Sequence, residues 1–373
     1  MSILSAVRSN IQHYERDTYL GSETKLSSEF KAIDCATGFA QWGVSPLAIQ
    51  AHKDFDPCTL AAYPEMHYKN LLKPAVLRRF KSPGLRGDCL FFGHGSFNLA
   101  ERLIHKLIKP SCMVGVGPQF NEIPSEFVAT GGKYHPVPID RKCGYAFPFR
   151  ELEKLLQKED VSVLYIDNPN NPLGYLIGLP TIAQLARVAE RREVIVIVDE
   201  AYGDFVADDE SAILLVPKFR NLAVLRSFSK ALGLAAARVG YMFLSNELAN
   251  YYRSLDVPFE PSLHSATLAQ ATLKDKVFIE GIRAVVGRSK QRMQELFHSF
   301  EWDVLPSHPA TSIMTVHRSD FNVVQGFASV GISVEPGSAF KATHPGWTDF
   351  YCRIRIPPEN QIEEFGRRLE MLS

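Results

Sequence analysis

Three short runs without a polar position constrain this chain most: residues 163–166 (within the buried-strand pattern 161–166), 194–198 and 222–225. A strand with one wet face alternates apolar and polar side chains. Val194, Ile195, Val196, Ile197 and Val198 do not alternate, so both faces of such a strand must be covered. Strands of this kind belong to a parallel sheet with helices on both sides. Their alternation with helical patterns from Leu60 to about Pro258 reads as an α/β fold, a doubly wound and mainly parallel sheet. In such sheets ligands bind beyond the carboxyl ends of the strands. Chemistry is therefore sought just after each run, in residues 167–174, 199–202 and 227–230.

Residues 227–241 read Ser-Phe-Ser-Lys-Ala-Leu-Gly-Leu-Ala-Ala-Ala-Arg-Val-Gly-Tyr. On its own Lys230 would be read as a surface charge, but its place after a buried strand puts the amine at a strand's end, where an amine can lose its proton and act as a nucleophile. Ser227 and Ser229 add short hydroxyl donors and Arg238 a planar charged fork, a set suited to a phosphate dianion. Asp199 closes its strand. A carboxylate buried there is costly unless it meets a cation, and a protonated pyridine nitrogen would be one; the bland reading of Asp-Glu-Ala-Tyr is a helix cap. Pro169, Pro172 and Gly174 force a rigid turn. Gly95, Ser96 and Phe97 stand where a strand passes into an apolar-periodic helix, whose free amides and positive end can hold a phosphate. Asn98 occupies the place where a dinucleotide fingerprint needs glycine.

Together these segments resemble the fold-type I pyridoxal-phosphate enzymes of aminotransferase class I/II, in the order turn, Asp-x-x-Tyr, Ser-x-Ser-Lys, Arg. The resemblance implies pyridoxal 5'-phosphate as cofactor, held by Lys230 as a Schiff base (the internal aldimine). It places Asp199 on the pyridine nitrogen and Tyr202 and Asn171 on the ring's phenolic oxygen, although Leu173 replaces the usual threonine of the turn. Gly95, Ser96, Phe97, Ser227, Ser229 and Arg238 would cradle the phosphate. Tyr63, in Tyr63-Pro64, would reach the phosphate of the neighbouring subunit, which makes a homodimer with shared sites the expected assembly. Pro118-Gln119-Phe120-Asn121-Glu122-Ile123 is similar to Pro-Thr-Phe-Ser-Glu-Tyr, so the ring-stacking aromatic falls at Ile123, an aliphatic floor that gives up about 1 kcal/mol of stacking.

Residues 351–356 alternate as a strand does, with Arg353 and Arg355 on one face. The resemblance makes Arg353 the partner of the substrate's α-carboxylate and Arg355 a solvated neighbour. Residues 33–46 resemble the histidinol-phosphate aminotransferase and threonine-phosphate decarboxylase branch, where Ala40 takes a position near the substrate often held by asparagine. Glu335 stands where relatives often carry arginine. These departures leave the substrate side chain open. Amino-group transfer between an amino acid, or an amino-phosphate compound, and a 2-oxo acid is the first reading. Decarboxylation, elimination or cyclisation on the same cofactor is the alternative, and an inactive pyridoxal-phosphate-binding relative or regulator the remote one.

Composition adds exclusions. Of 373 residues 46% are hydrophobic, enough for a large core, and 41 Lys+Arg balance 41 Asp+Glu, so no net field recruits nucleic acid or anionic membrane. No signal peptide, membrane span or metal is expected, and the cytoplasm is the expected location. Six cysteines without Cys-x-x-Cys spacing read as reduced core residues. The expected organisation is an arm over residues 1–30, a segment 31–50 that joins the small domain, a large cofactor domain 51–258 and a smaller α+β domain 259–373.

Overall fold

The apolar runs become the centre of a seven-stranded sheet. A computed structural model describes residues 7–12, 14–16, 25–36, 40, 42–63, 67–80 and 82–372, apart from the side chains of 67–70. Its strands in chain order are β1 Ile33–Asp34, β2 Leu90–Gly93, β3 Cys112–Gly117, β4 Lys133–Pro138, β5 Val161–Asp167, β6 Ile195–Glu200, β7 Leu222–Ser227, β8 Gly240–Leu244, β9 Asp303–Val304, β10 Ile313–His317, β11 Ile332–Ser333, β12 Glu335–Pro336 and β13 Tyr351–Arg355. The large sheet runs β2–β8–β7–β6–β5–β3–β4, and only β8 is antiparallel to its neighbours. Alternate residues of the central strands feed two apolar layers: Leu164, Val196, Val198 and Val224 enter one, and Val163, Tyr165, Ile197 and Ala223 the other. All eight are fully buried, which is why no polar position interrupts these runs; each large apolar side chain so covered contributes about 1.5–3 kcal/mol.

A second sheet, β12–β13–β10–β9, is antiparallel throughout. One face packs Met314, Cys352 and Ile354 against Phe297, Phe327 and Phe365. The segment after the N-terminal arm joins this region by pairing β1 with β11, Ile33 opposite Ile332. Described parts of the arm lie on the protein itself: Asn10 Nδ2 donates to the Ala129 carbonyl at 2.6 Å and Tyr14 Oη to that of Ser125 at 2.9 Å. Arg16 pairs with Glu122 at 3.2 Å and also with Glu126.

The helical pattern of residues 263–300 is two helices, Leu263–Lys274 and Lys276–Ser299. Asp275 breaks it, because its side chain accepts from the Phe278 amide at 3.0 Å and caps the second helix. The cysteines divide: Cys35, Cys89 and Cys352 are buried, whereas Cys58 and Cys143 are exposed, since they sit in surface turns and not on covered strands. No helix among the described residues is long and apolar enough to cross a membrane.

A cluster of charged residues lies inside the strand frame. Arg226 on β7 is fully buried, donating to Glu200 of β6 at 2.7 Å and to Asp204 at 3.0 Å. Arg79 bonds Asp208 at 2.8 Å and pairs with Asp204, and Ser211 Oγ donates to Glu200 at 2.6 Å. Removing one partner of such a cluster leaves a buried charge uncompensated. Arg226→Leu is therefore expected to lose about 3–5 kcal/mol of unfolding free energy in a denaturant titration; a loss below about 1 kcal/mol would mean that Arg79 alone neutralises Glu200 and Asp204.

Candidate active site

β7 ends at Ser227, and the chain then turns instead of entering a helix. The Ser229 amide donates to Ser227 Oγ at 3.1 Å, and the two hydroxyls are 2.9 Å apart. Lys230 follows, half-buried, its Nζ 5.4 Å from the centre of the Tyr202 ring. Arg238 adopts a left-handed φ of 50°, a conformation that costs a side-chain-bearing residue about 1–2 kcal/mol. Its fork donates to the carbonyls of His94 and Ala235, each at 2.9 Å. Facing it is Gly95 at φ 103°, where a Cβ would meet Arg238 Nη2 at 3.2 Å. Helix Ser96–Lys106 starts there, aiming the free amides of its first turn at Ser227, Ser229 and Arg238. This is an anion cradle with no room for a side chain at Gly95.

The cradle forms one end of a cavity of about 350 Å³, whose wall continues through Phe97, Asn171, Asp199, Tyr202, Lys230 and Arg353. Asp199 and Asp167 stand in register at the ends of β6 and β5, so two buried carboxyls face the same space. Burial raises both: Asp199 to about 6, opposed by bonds from the Ala201 amide and Ser96, and Asp167 to about 7, opposed by the amides of Asn171 and Phe120. The Tyr202 hydroxyl is buried without a hydrogen-bond partner among the described residues. Arg353 Nη1 donates to Asn171 Oδ1 at 3.0 Å, and its Nη2 donates to Glu335 Oε2 at 3.2 Å and to the Ala36 carbonyl; its Nε has no partner.

Several sequence expectations are displaced. Ile123 does not reach the cavity. It occupies the first turn of helix Glu122–Ala129, turned fully into the apolar layer of Phe127 and Val163. Of that segment the aromatic at the wall is Phe120, beside Phe97 and Tyr202; it precedes the helix and is held by its amide on Asp167 Oδ2 at 3.0 Å. Arg355 is not a solvated neighbour: it is 2% exposed and pairs with Asp34 at 3.4 Å, because β1 and its flanks cover that end of β13. Ala40 is half-buried and outside the cavity wall. Tyr63 is 78% exposed, its ring 4.9 Å from that of Phe259, away from this chain's own cavity. Sequence reasoning missed Asp167 as a site carboxylate; its place at a strand end beside Asp199 was the available signal.

Comparison with known proteins agrees with this geometry. The chain matches the family aminotransferase class I and II over residues 33–369. A histidinol-phosphate aminotransferase of Methylobacillus flagellatus is 31% identical over 336 residues, covering 88% of this chain and 86% of the relative. One from Halalkalibacterium halodurans is 28% identical over 335 residues, again 88% and 86%. Among solved structures, the histidinol-phosphate aminotransferase of Clostridium acetobutylicum superposes with a TM-score of 0.80 at 19% identity, covering 91% of this chain and 98% of that one. That of Sinorhizobium meliloti, in complex with pyridoxal-5'-phosphate, gives 0.76 at 19%, covering 93% and 91%.

Fold and cavity thus define an enzyme built around pyridoxal phosphate, and the residues present fit that group. The anion cradle suits a phosphate, the buried Tyr202 hydroxyl has no polar partner among the described residues, and the buried Asp199 makes no ion pair among them. The chain belongs to the class I and II aminotransferases and is a pyridoxal-phosphate-dependent aminotransferase.

Because Asp167 and Asp199 hold protons in the folded protein that the unfolded chain, at 3.8, has lost, their contribution is full below about pH 4 and disappears as pH rises through 6 to 7. The melting temperature of the cofactor-free protein should fall between pH 5 and 8, and less steeply in Asp167→Asn. Equal slopes in a pH series of thermal melts would remove Asp167 as a cause.

Proposed function

We propose that this aminotransferase moves amino groups between an α-amino acid and a 2-oxo acid, with Lys230 carrying the proton at the reacting carbon. The supporting observation is that Lys230, Asp199 and Arg353 all line one cavity beside an anion cradle. When bound, pyridoxal phosphate supplies an electron sink for negative charge at the substrate's α-carbon. Ser227, Ser229, Arg238 and the amides of Ser96 and Phe97 hold its phosphate. Asp199 faces the pyridine nitrogen and keeps it protonated. Tyr202 donates its hydroxyl to the phenolic oxygen, as does Asn171 through Nδ2, since its Oδ1 is occupied by Arg353. Phe120 covers the ring.

Arg353 grips the substrate's α-carboxylate, which fixes the α-carbon over Lys230. Arg353, by holding the carboxylate, directs the α-hydrogen toward Lys230, and the negative charge left when that hydrogen departs falls to the electron sink. Lys230 takes up the α-proton and returns it later in the reaction. Transfer, and not decarboxylation, is the outcome of that orientation. Histidinol phosphate, the compound in the relatives' names, has a phosphate-bearing arm where an amino acid has its α-carboxylate, and it is one further amine to test against Arg353.

Lys230→Ala should retain the fold and the phosphate cradle but abolish borohydride labelling of the peptide containing residue 230 and single-turnover conversion of any amino acid. Arg353→Lys keeps the charge and loses the fork, and should lower kcat/KM by about one to two orders of magnitude. A label on another lysine, or carbon dioxide released without oxo acid, would overturn the assignment.

The exposed Leu60, Tyr63 and Phe259 also support a homodimer in which Tyr63 contacts the phosphate held by the other subunit. Sedimentation at micromolar concentration should give a dimer. A monomer that binds the cofactor tightly would rule out the shared site.

A further inference from the structure

Glu335 stands beside Arg353 just outside the residues that line the cavity, and the transfer chemistry leaves it unused. It lies directly across from Arg353 in the pairing of β12 with β13, and directly opposed residues project from the same face of a sheet. That face carries Arg353 to the cavity wall. The Glu335 side chain is 8% exposed; one carboxylate oxygen, Oε2, accepts from Arg353 at 3.2 Å, and the other, Oε1, is buried with no hydrogen-bond partner. A buried carboxylate oxygen without a donor is costly, and burial accordingly pushes the Glu335 carboxyl above its usual range, opposed by Arg353 and Lys230 and reinforced by Asp34. The Arg353 Nε on the same wall lacks an acceptor.

Charges around this end of the cavity balance in pairs. Arg353 is matched by Glu335 and Arg355 by Asp34. Arg238, at the opposite cradle, is the cation committed to the cofactor's phosphate. A substrate that brings its α-carboxylate to Arg353 therefore finds no further arginine at this end among the described cavity residues, and a second anionic group turned toward β12 would approach the Glu335 carboxylate. Like charges in a dry site repel strongly, and that repulsion discriminates between substrates as effectively as attraction does. A hydrogen-bond donor arriving there would instead satisfy an acceptor that the folded chain leaves bare.

Resting on the amino-acid reading above, we propose that Glu335 is a specificity-determining residue: it accepts a hydrogen bond from the substrate's side chain, selecting side chains that end in a donor (an amine, guanidine, imidazole N–H or hydroxyl) and rejecting those that end in phosphate or carboxylate. Donor-tipped amino acids are thus the preferred substrate class.

Two measurements on the holoenzyme test this. The first is equilibrium titration of the cofactor absorbance with α-methylornithine and α-methylglutamate, which bind but have no α-hydrogen to lose. The second is single-turnover reaction with ornithine and glutamate, which share the α-carboxylate and differ in whether the side chain ends in a donor or an anion. The wild type should favour the non-anionic member of each pair by about tenfold or more, and Glu335→Gln should reduce each ratio by about tenfold. Glu335→Ala serves as a second variant, and thermal melts and cofactor spectra of both verify folding and loading. A wild-type preference for α-methylglutamate or for glutamate, or ratios unchanged in both variants, would overturn the role of Glu335. Selective binding in the titration without amino transfer from any amine would instead sink the aminotransferase reading and leave the Glu335 preference supported.

Discussion

The ion cluster centred on Arg226 is the constraint on which the site's geometry depends. Arg226 sits one residue before Ser227, and its partner Glu200 one residue after Asp199. Their bond therefore locks together the two strand ends that bear Ser227 and Asp199, the residues proposed to meet the phosphate and the pyridine nitrogen. Asp204, also bonded to Arg226, fixes the turn that follows Tyr202. A buried ion pair is seldom a net gain over an apolar pair, and its merit here is directional: a guanidinium has fixed donor positions, so the strand ends cannot slide.

Above that lock the cavity is deliberately incomplete as a protein interior. Asp167 and Asp199 share one end of the sheet with no arginine beside them, the Tyr202 hydroxyl has no partner, and Arg238 holds a left-handed backbone angle. Each of these features costs stability in the empty chain and is relieved by a ligand that brings a cation, an acceptor and a dianion in the right order. Pyridoxal phosphate has that order. The strand core supplies the stability that lets such a site persist.

The substrate end depends on a different part of the chain. Arg353 and Glu335 belong to the antiparallel sheet, and the Arg353 side chain bridges to Asn171 in the large sheet's turn. Thr315 Oγ1 donates to the Pro172 carbonyl at 3.0 Å and Thr311 Oγ1 to that of Gly174 at 3.0 Å. The turn that presents Asn171 is thus clamped by the same sheet that presents Arg353, so cofactor contact and carboxylate contact are positioned as one unit.

Much of this was legible in the sequence because it is local. Unbroken apolar runs give covered strands, the residues just after them give the strand-end chemistry, and the spacing of Ser227, Ser229, Lys230 and Arg238 lies within a single turn and its return. Positions whose meaning depends on distant chain were misread or unread. Ile123 was taken for the cavity floor, but the phase of a short helix turned it into the core and left Phe120 at the wall. Arg355 read as solvated because period-2 alternation specifies a face and not what covers it; the cover, β1, lies more than three hundred residues earlier. Glu335 was visible only as an odd residue. Pairing across β12 and β13 set it against Arg353 and left one of its oxygens bare. Sequence by itself determined which segments are strands and which side chains emerge at their ends, since those follow from backbone period and burial. Tertiary structure decided which charges meet, because Coulomb and hydrogen-bond partners are set by distance in space and not by separation along the chain.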